Sequence, residues 1–139
     1  MSIKDMAREA VVTVEPDTSA VEISSTMEAE NVGSVVVVED ANPVGIVTDR
    51  DLALDIVGEE ADANNVTAAE IMSGDLFTVE SDEHIYDVLD QMNEAGVRRV
   101  PVVENGELKG IVTLDDFFVL LSSEFDLASG VVQSGIPEY

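Results

Sequence analysis

The feature that most constrains this chain is an internal duplication. Gly45-Ile46-Val47-Thr48-Asp49-Arg50-Asp51 recurs as Gly110-Ile111-Val112-Thr113-Leu114-Asp115-Asp116, displaced by 65 residues. The same displacement carries Thr13-Val14-Glu15 onto Thr78-Val79-Glu80, Met27 onto Met92, and Val37-Val38-Glu39 onto Val102-Val103-Glu104. Between Val12–Leu52 and Phe77–Phe117 there are 15 identities in 41 positions without a gap. Two copies of one supersecondary unit are implied. Each ends its last strand on the same Gly-apolar-apolar-Thr-x-x-Asp corner, so two related ligand sites are expected. A unit of this size buries too little surface to stand alone. The copies should therefore fold as one body of 139 residues, each supplying half the core.

Hydrophobic periodicity orders the elements within each copy. Ala10 to Val14 is a short β-branched run. Ser19 and Glu22 stand at capping-box spacing, followed by a helical stripe of Ala20, Ile23, Met27 and Ser24. Val35-Val36-Val37-Val38 is all apolar, as in a strand covered on both faces. Glu39 to Pro43 is a turn, Val44–Val47 the return strand, and Thr48 opens a helix to about Val57. The acidic stretch Gly58–Asn65 has no apolar period and reads as a linker. A short helix, Ala68–Met72, leads into the second copy. Its elements are strand Leu76–Val79, helix His84–Glu94, strand Arg99–Val103, strand Leu108–Val112 and a helix from Leu114 to about Ser123. Asn105-Gly106 marks the hairpin between the two later strands. Ser129–Tyr139, with two glycines and Pro137, is expected to be irregular, its Val131, Val132 and Ile136 docking on the body or on a second chain. The fold class is α/β (α+β), each repeat strand-helix-strand-strand-helix. The boundaries are 1–58 for the first repeat, 59–67 for the linker, 68–128 for the second repeat and 129–139 for the tail.

Charge narrows the function. Thirty acidic residues against six basic ones leave a formal net charge of −24. Lys4 and Lys109 are the only lysines. Such acidity fits an acidic interaction surface or a halophile cytosol. In the latter, molar salt screens self-repulsion over a Debye length of about 3 Å. A regular apolar pattern and 45% hydrophobic residues argue against disorder. No basic patch offers a nucleic-acid backbone a landing site. No apolar run is long enough to span a bilayer, and Met1–Asp5 does not begin a signal peptide. Without cysteine there is no disulfide or thiolate metal site. A cytoplasmic location, with no nucleic-acid or membrane partner, is expected.

The two corners, together with Val12-Thr13-Val14, Phe77-Thr78-Val79 and Ala95-Gly96-Val97-Arg98-Arg99-Val100-Pro101-Val102-Val103, resemble the CBS-domain family, the paired regulatory repeats named after cystathionine β-synthase. The resemblance covers about Ile3 to Ser123. It implies two repeats packed about a pseudo-twofold axis into one module. It also implies clefts that take adenosine-type ligands such as AMP, ADP, ATP, NAD or S-adenosylmethionine. Thr48 and Thr113 would then touch phosphate, and Asp51 and Asp116 the ribose. Val12, Thr13, Phe77 and Thr78 stand where the family lines its adenine slot, and Pro101 lies on the second strand beside it.

The residues themselves leave alternatives open. Thr48 with Asp51, and Thr113 with Asp116, have N-cap and N3 spacing, so each pair also reads as a capping box. Val12 and Phe77 serve equally well as core. Arg98 and Arg99 can fork onto phosphate or pair with the abundant acids. Copy one has Gly33-Ser34 at the aligned positions and carries Arg50 where copy two has Asp115, so the clefts should differ. The one histidine, His84, reads as a solvated helix start. Glu59-Glu60 and Asp115-Asp116 read as solvated faces. No nucleophile, base or metal cluster appears. A required cofactor is not expected, although a nucleotide can bring Mg²⁺ between its phosphates and a carboxylate.

A non-catalytic sensor acting on another protein, or on a second copy as a homodimer, is the leading reading. A dimeric interaction scaffold with degenerate, non-binding clefts is the alternative, and a nucleotide-processing enzyme fits worst.

Overall fold

The computed structural model describes residues 1–137. Two three-stranded sheets carry the fold, one per repeat. In the first, β1 (Thr13–Val14) runs parallel to β2 (Ser34–Glu39), which pairs antiparallel with β3 (Asn42–Thr48). Helix α1 (Ala20–Glu30) connects β1 to β2. After β3 the chain turns into α2 (Asp49–Leu52), which continues as a π-helical stretch, Ala53–Val57. A short helix, α3 (Ala68–Ile71), precedes the second sheet. There β4 (Val79–Glu80), α4 (Ile85–Ala95), β5 (Arg99–Glu104), β6 (Glu107–Thr113) and α5 (Leu114–Ser134) repeat the order. Even the register irregularity recurs: it falls between Val37 and Val38 in β2, and between Val102 and Val103 in β5. This is the tandem strand-helix-strand-strand-helix module expected from the sequence.

The helix signals act locally as predicted, with one shortfall. Ser19 Oγ accepts the Glu22 N–H at 3.2 Å, but only this half of the capping box forms. Asn31 and Gly96 end α1 and α4 in the left-handed region, the conformation that favours these two residue types at a helix C-terminus. Ala20, Ile23 and Met27 are buried as expected, whereas Ser24 is exposed.

Each core borrows a residue from the far side of the duplication. Ile3, fully buried, packs with Val79, Ile85, Val88, Val100 and Val112 of the second repeat. Its counterpart by the 65-residue displacement, Ala68, packs with Ile23, Val35, Val37 and Val47 of the first. Backbone bonds repeat this exchange. Ile3 N–H donates to Glu83 O at 2.7 Å, and Ala68 N–H to Thr18 O at 2.8 Å. Arg8 pairs with Ile111, and Ser73 with Ile46. The segment preceding each repeat therefore completes the other repeat, which ties two marginal units into one body.

One expectation is corrected. The last helix does not stop near Ser123; α5 runs 21 residues to Ser134 and ends at Gly135. An exposed glycine inside a helix costs only about 1 kcal/mol against alanine, so Gly130 does not break it. Val131, Val132 and Ile136 are exposed rather than docked on the body; Glu138 and Tyr139 lie outside the described residues. Among the described residues, no helix is long and apolar enough to cross a membrane.

Candidate functional site

The two Gly-x-x-Thr-x-x-Asp corners are built alike. Thr113 accepts the Asp116 N–H on Oγ1 at 3.3 Å, while Asp116 Oδ2 accepts the Thr113 N–H at 2.9 Å. Thr48 and Asp51 repeat the exchange at 3.2 and 2.8 Å. The first N–H of each helix is also used: Asp49 donates to Gly33 O at 3.0 Å and Leu114 to Arg98 O at 2.8 Å. In α2 the Arg50 N–H goes to Asp49 Oδ1 at 2.8 Å. The first-turn donors of α2 are thus consumed within the chain. A phosphate at this corner would meet threonine and arginine side chains rather than bare helix N–H groups. Because each threonine Oγ1 only accepts here, its own proton remains to be donated. Capping and phosphate contact are compatible.

The glycine of each corner has a steric reason. A Cβ on Gly45 would lie 2.5 Å from Met72 Sδ and 2.9 Å from Met72 Cβ. One on Gly110 would lie 3.0 Å from the Arg8 carbonyl oxygen and 3.1 Å from Ala7 Cβ. The segment borrowed from the other side of the duplication crosses the strand at that point, and a Cβ would crowd it, more severely at Gly45 than at Gly110.

Between the repeats lies a cleft of about 300 Å³, at the small end of ordinary ligand sites. The first repeat contributes Val12, Ser34 and Val36 to its wall, and the second contributes Arg99, Ile111, Thr113 and Asp115. Arg8 closes one side. The register explains the grouping. Arg99 faces Thr113 across β5 and β6, so the last residue of the corner and the arginine share one edge. Val12 extends β1 next to Val36, whose N–H donates to Val12 O at 3.0 Å.

Of the residues singled out from sequence, Val12, Arg99 and Thr113 therefore meet in this cleft. The others do not line it. Thr48 and Asp51 form the pseudo-symmetric corner. Phe77 packs against the second core and Thr78 is half-buried before β4. Thr13 is exposed on β1, and Pro101 is fully buried in β5. Arg98 is exposed and serves through its carbonyl. Asp116 stands behind Arg8. That arginine donates from Nε at 3.0 Å and Nη2 at 2.7 Å, both to Asp116 Oδ1.

Arg8, Ser34, Val36, Ile111 and Asp115 are among the lining residues the sequence reading missed. Continuing the 65-residue alignment back from Val12 would have reached Arg8, since Ile3 and Ala68 are already equivalent. At the other corner the equivalent of Arg8 is Ser73, which carries no charge. Among the described residues, Asp51 has no ion-pair partner. The prediction that the clefts differ gains a physical basis from Arg8, in addition to Arg99. Among the described residues, no group of three His, Asp or Glu side chains is placed to hold a metal ion.

The profile of the CBS domain matches the chain twice, over residues 3–58 and 68–123. The chain belongs to the CBS-domain family. Its two matches coincide with the two halves of the duplication, and the tandem arrangement is that of a CBS pair. An uncharacterised protein of Methanopyrus kandleri is 40% identical over 118 residues, covering 84% of this chain and 60% of the relative. The CBS domain-containing protein YhcV of Bacillus subtilis is 35% identical over 118 residues, 85% of this chain and 84% of its own. Among solved structures, the CBS domain pair of protein MJ0100 superposes with a TM-score of 0.79 at 25% identity, covering 89% of this chain and 98% of that one. That protein was solved in complex with 5′-methylthioadenosine and S-adenosyl-L-methionine.

Proposed function

We propose that this CBS pair is a non-catalytic regulatory module that binds an adenosine-type ligand in the inter-repeat cleft bounded by Val12, Ser34, Arg99 and Thr113. The observation that carries the reading is the composition of that cleft. Apolar Val12 and Val36 can face a flat base, and the Thr113 hydroxyl can donate to an oxygen. Arg8 and Arg99, two of only six cations in a chain of net charge −24, line it against one carboxylate, Asp115. A phosphate approaching so acidic a molecule needs local positive charge. The bound ligands of the MJ0100 pair support the adenosine class. AMP, ADP, ATP, NAD and S-adenosylmethionine are the candidates, acting in the cytoplasm with no cofactor required.

Because the cleft takes its walls from both repeats, occupancy would adjust how the repeats sit on one another, and a partner would read that change. The partner is either an effector protein or a second copy. Exposed Phe118, Leu121 and Phe125 lie along one side of α5. An apolar groove of about 330 Å³ lies between α1 and the π-helical stretch, lined by Val21, Leu52 and Ile56 among others. Apolar surface of this extent on a small body favours a homodimer. A monomer mass by light scattering in molar KCl would contradict it.

Melting in molar KCl with each of the five ligands tests the binding claim. A ligand at a hundredfold excess over Kd stabilises the native state by about 2.7 kcal/mol, which is several degrees for a chain of this length. A rise with at least one ligand is expected. No rise with any of them would leave the dimeric scaffold as the reading.

A further inference from the structure

Arg8 lies at the meeting point of two demands that conflict. The family resemblance implies a ribose hydroxyl on Asp116, yet that carboxylate stands behind Arg8 and is already engaged. Oδ2 takes the Thr113 N–H at 2.9 Å, and Oδ1 takes Nε and Nη2 of Arg8 at 3.0 and 2.7 Å. Three of the carboxylate's roughly four acceptor positions are taken, and its side chain is only 11% exposed beside Arg8, so a ribose gains access to it by displacing the guanidinium. The same guanidinium lines the cleft in which a phosphate would sit.

We propose that Arg8 sets the specificity of this cleft, acting as a latch on Asp116 that selects phosphorylated nucleosides over unphosphorylated ones. The inference rests on the cleft reading given above and deepens it. An unphosphorylated nucleoside has to break the ion pair and offers Arg8 nothing in exchange. A phosphorylated one breaks the same pair and gives the guanidinium a new anion, with Arg99 beside it.

Three observations support the latch. First, the side chain is free to turn: 65% of Arg8 is exposed against 11% of Asp116, so swinging the arginine opens no core. Second, its pivot is fixed. Arg8 N–H donates to Ile111 O and Ile111 N–H to Arg8 O, both at 3.0 Å. The guanidinium therefore moves about an anchored backbone at the cleft rim. Third, the latch belongs to one cleft only. The 65-residue displacement places uncharged Ser73 at the equivalent position, and Asp51 forms no ion pair among the described residues. The two corners, alike in their caps, differ in what guards the carboxylate.

Calorimetric titration of AMP and adenosine into the wild type, Arg8→Ala and Arg8→Lys, at one fixed KCl concentration, tests this. Adenosine is measured directly or by displacement of AMP. Arg8→Ala should bind AMP about tenfold or more weakly, the loss of a charge-assisted hydrogen bond. It should bind adenosine about two- to fivefold more tightly, since a mostly exposed ion pair no longer competes. Arg8→Lys should give an intermediate ratio, because it keeps the charge and loses the Nε donor. If the wild type binds both ligands and Arg8→Ala leaves their affinity ratio unchanged, the latch is overturned and the cleft reading stands. If the wild type binds neither, the cleft reading falls and the latch with it.

Discussion

Thr113 and Asp116 do two jobs with one geometry. The threonine oxygen accepts a helix N–H, and the aspartate closes the box with one oxygen and leaves the other to face Arg8. The sequence made the pairing legible, because the spacing of three recurs twice. It could not show which oxygen is engaged or by what, since Arg8 lies 108 positions from Asp116. The corner glycines make the same point. Their recurrence was plain, but their cause is the crossing of a segment from the other side of the duplication. Gly45→Ala should be destabilising by about 1–3 kcal/mol, as expected for overpacking, because its Cβ would fall within 3 Å of three atoms of Met72. Chemical denaturation reads this directly; an unchanged midpoint would mean that Met72 moves aside freely.

At the scale of elements, periodicity found the strands and α-helices of both repeats, β4 lying at Val79–Glu80 rather than Leu76–Val79, and it failed where the pattern is not local, as at the 3-10 turn Ile3–Asp5. The segment before β1 looks like a plain connection, and the one before β4 like a short isolated helix, Ala68–Met72. Yet Ile3 is as buried as any residue in the second core, and Ala68 as any in the first. Segments of one or two turns show no period that tells which core their apolar residues join. The end of α5 was missed for the opposite reason. Ser129-Gly130 resembles a stop signal, but an exposed helix with no packing demand runs through it to Gly135. If the borrowed segments are structural, Ile3→Ala should cost about 2–5 kcal/mol, as for a core isoleucine, despite its place near the N-terminus. Urea unfolding of this variant beside Val100→Ala checks the claim. A loss under about 0.5 kcal/mol, typical of a surface site, would show the segment to be dispensable.

At the scale of the whole molecule, the acidity has few internal partners. Among the described residues only two ion pairs form, Arg8–Asp116 and Lys109–Glu107. Thirty carboxylates against six cations therefore leave the surface repelling itself. The unfolding midpoint should rise steadily from low to molar KCl as that repulsion is screened. A flat response would remove the saline interpretation of the composition.

In the proposed function an adenosine-type ligand occupies the cleft holding Thr113. Two adjacent arginines give it a matched test. Arg98→Ala and Arg99→Ala each remove one positive charge from the same strand edge, so the overall field changes equally. Only Arg99 lines this cleft; Arg98 is the counterpart of Gly33, and the duplication assigns it to the mate cleft. Calorimetric titration with AMP should show Arg99→Ala binding about tenfold or more weakly, the loss of one charge-assisted hydrogen bond, with Arg98→Ala within about twofold of the wild type, as for a lost distant surface charge. Equal losses in the two variants, or a loss confined to Arg98→Ala, would contradict the assignment of the ligand to this cleft.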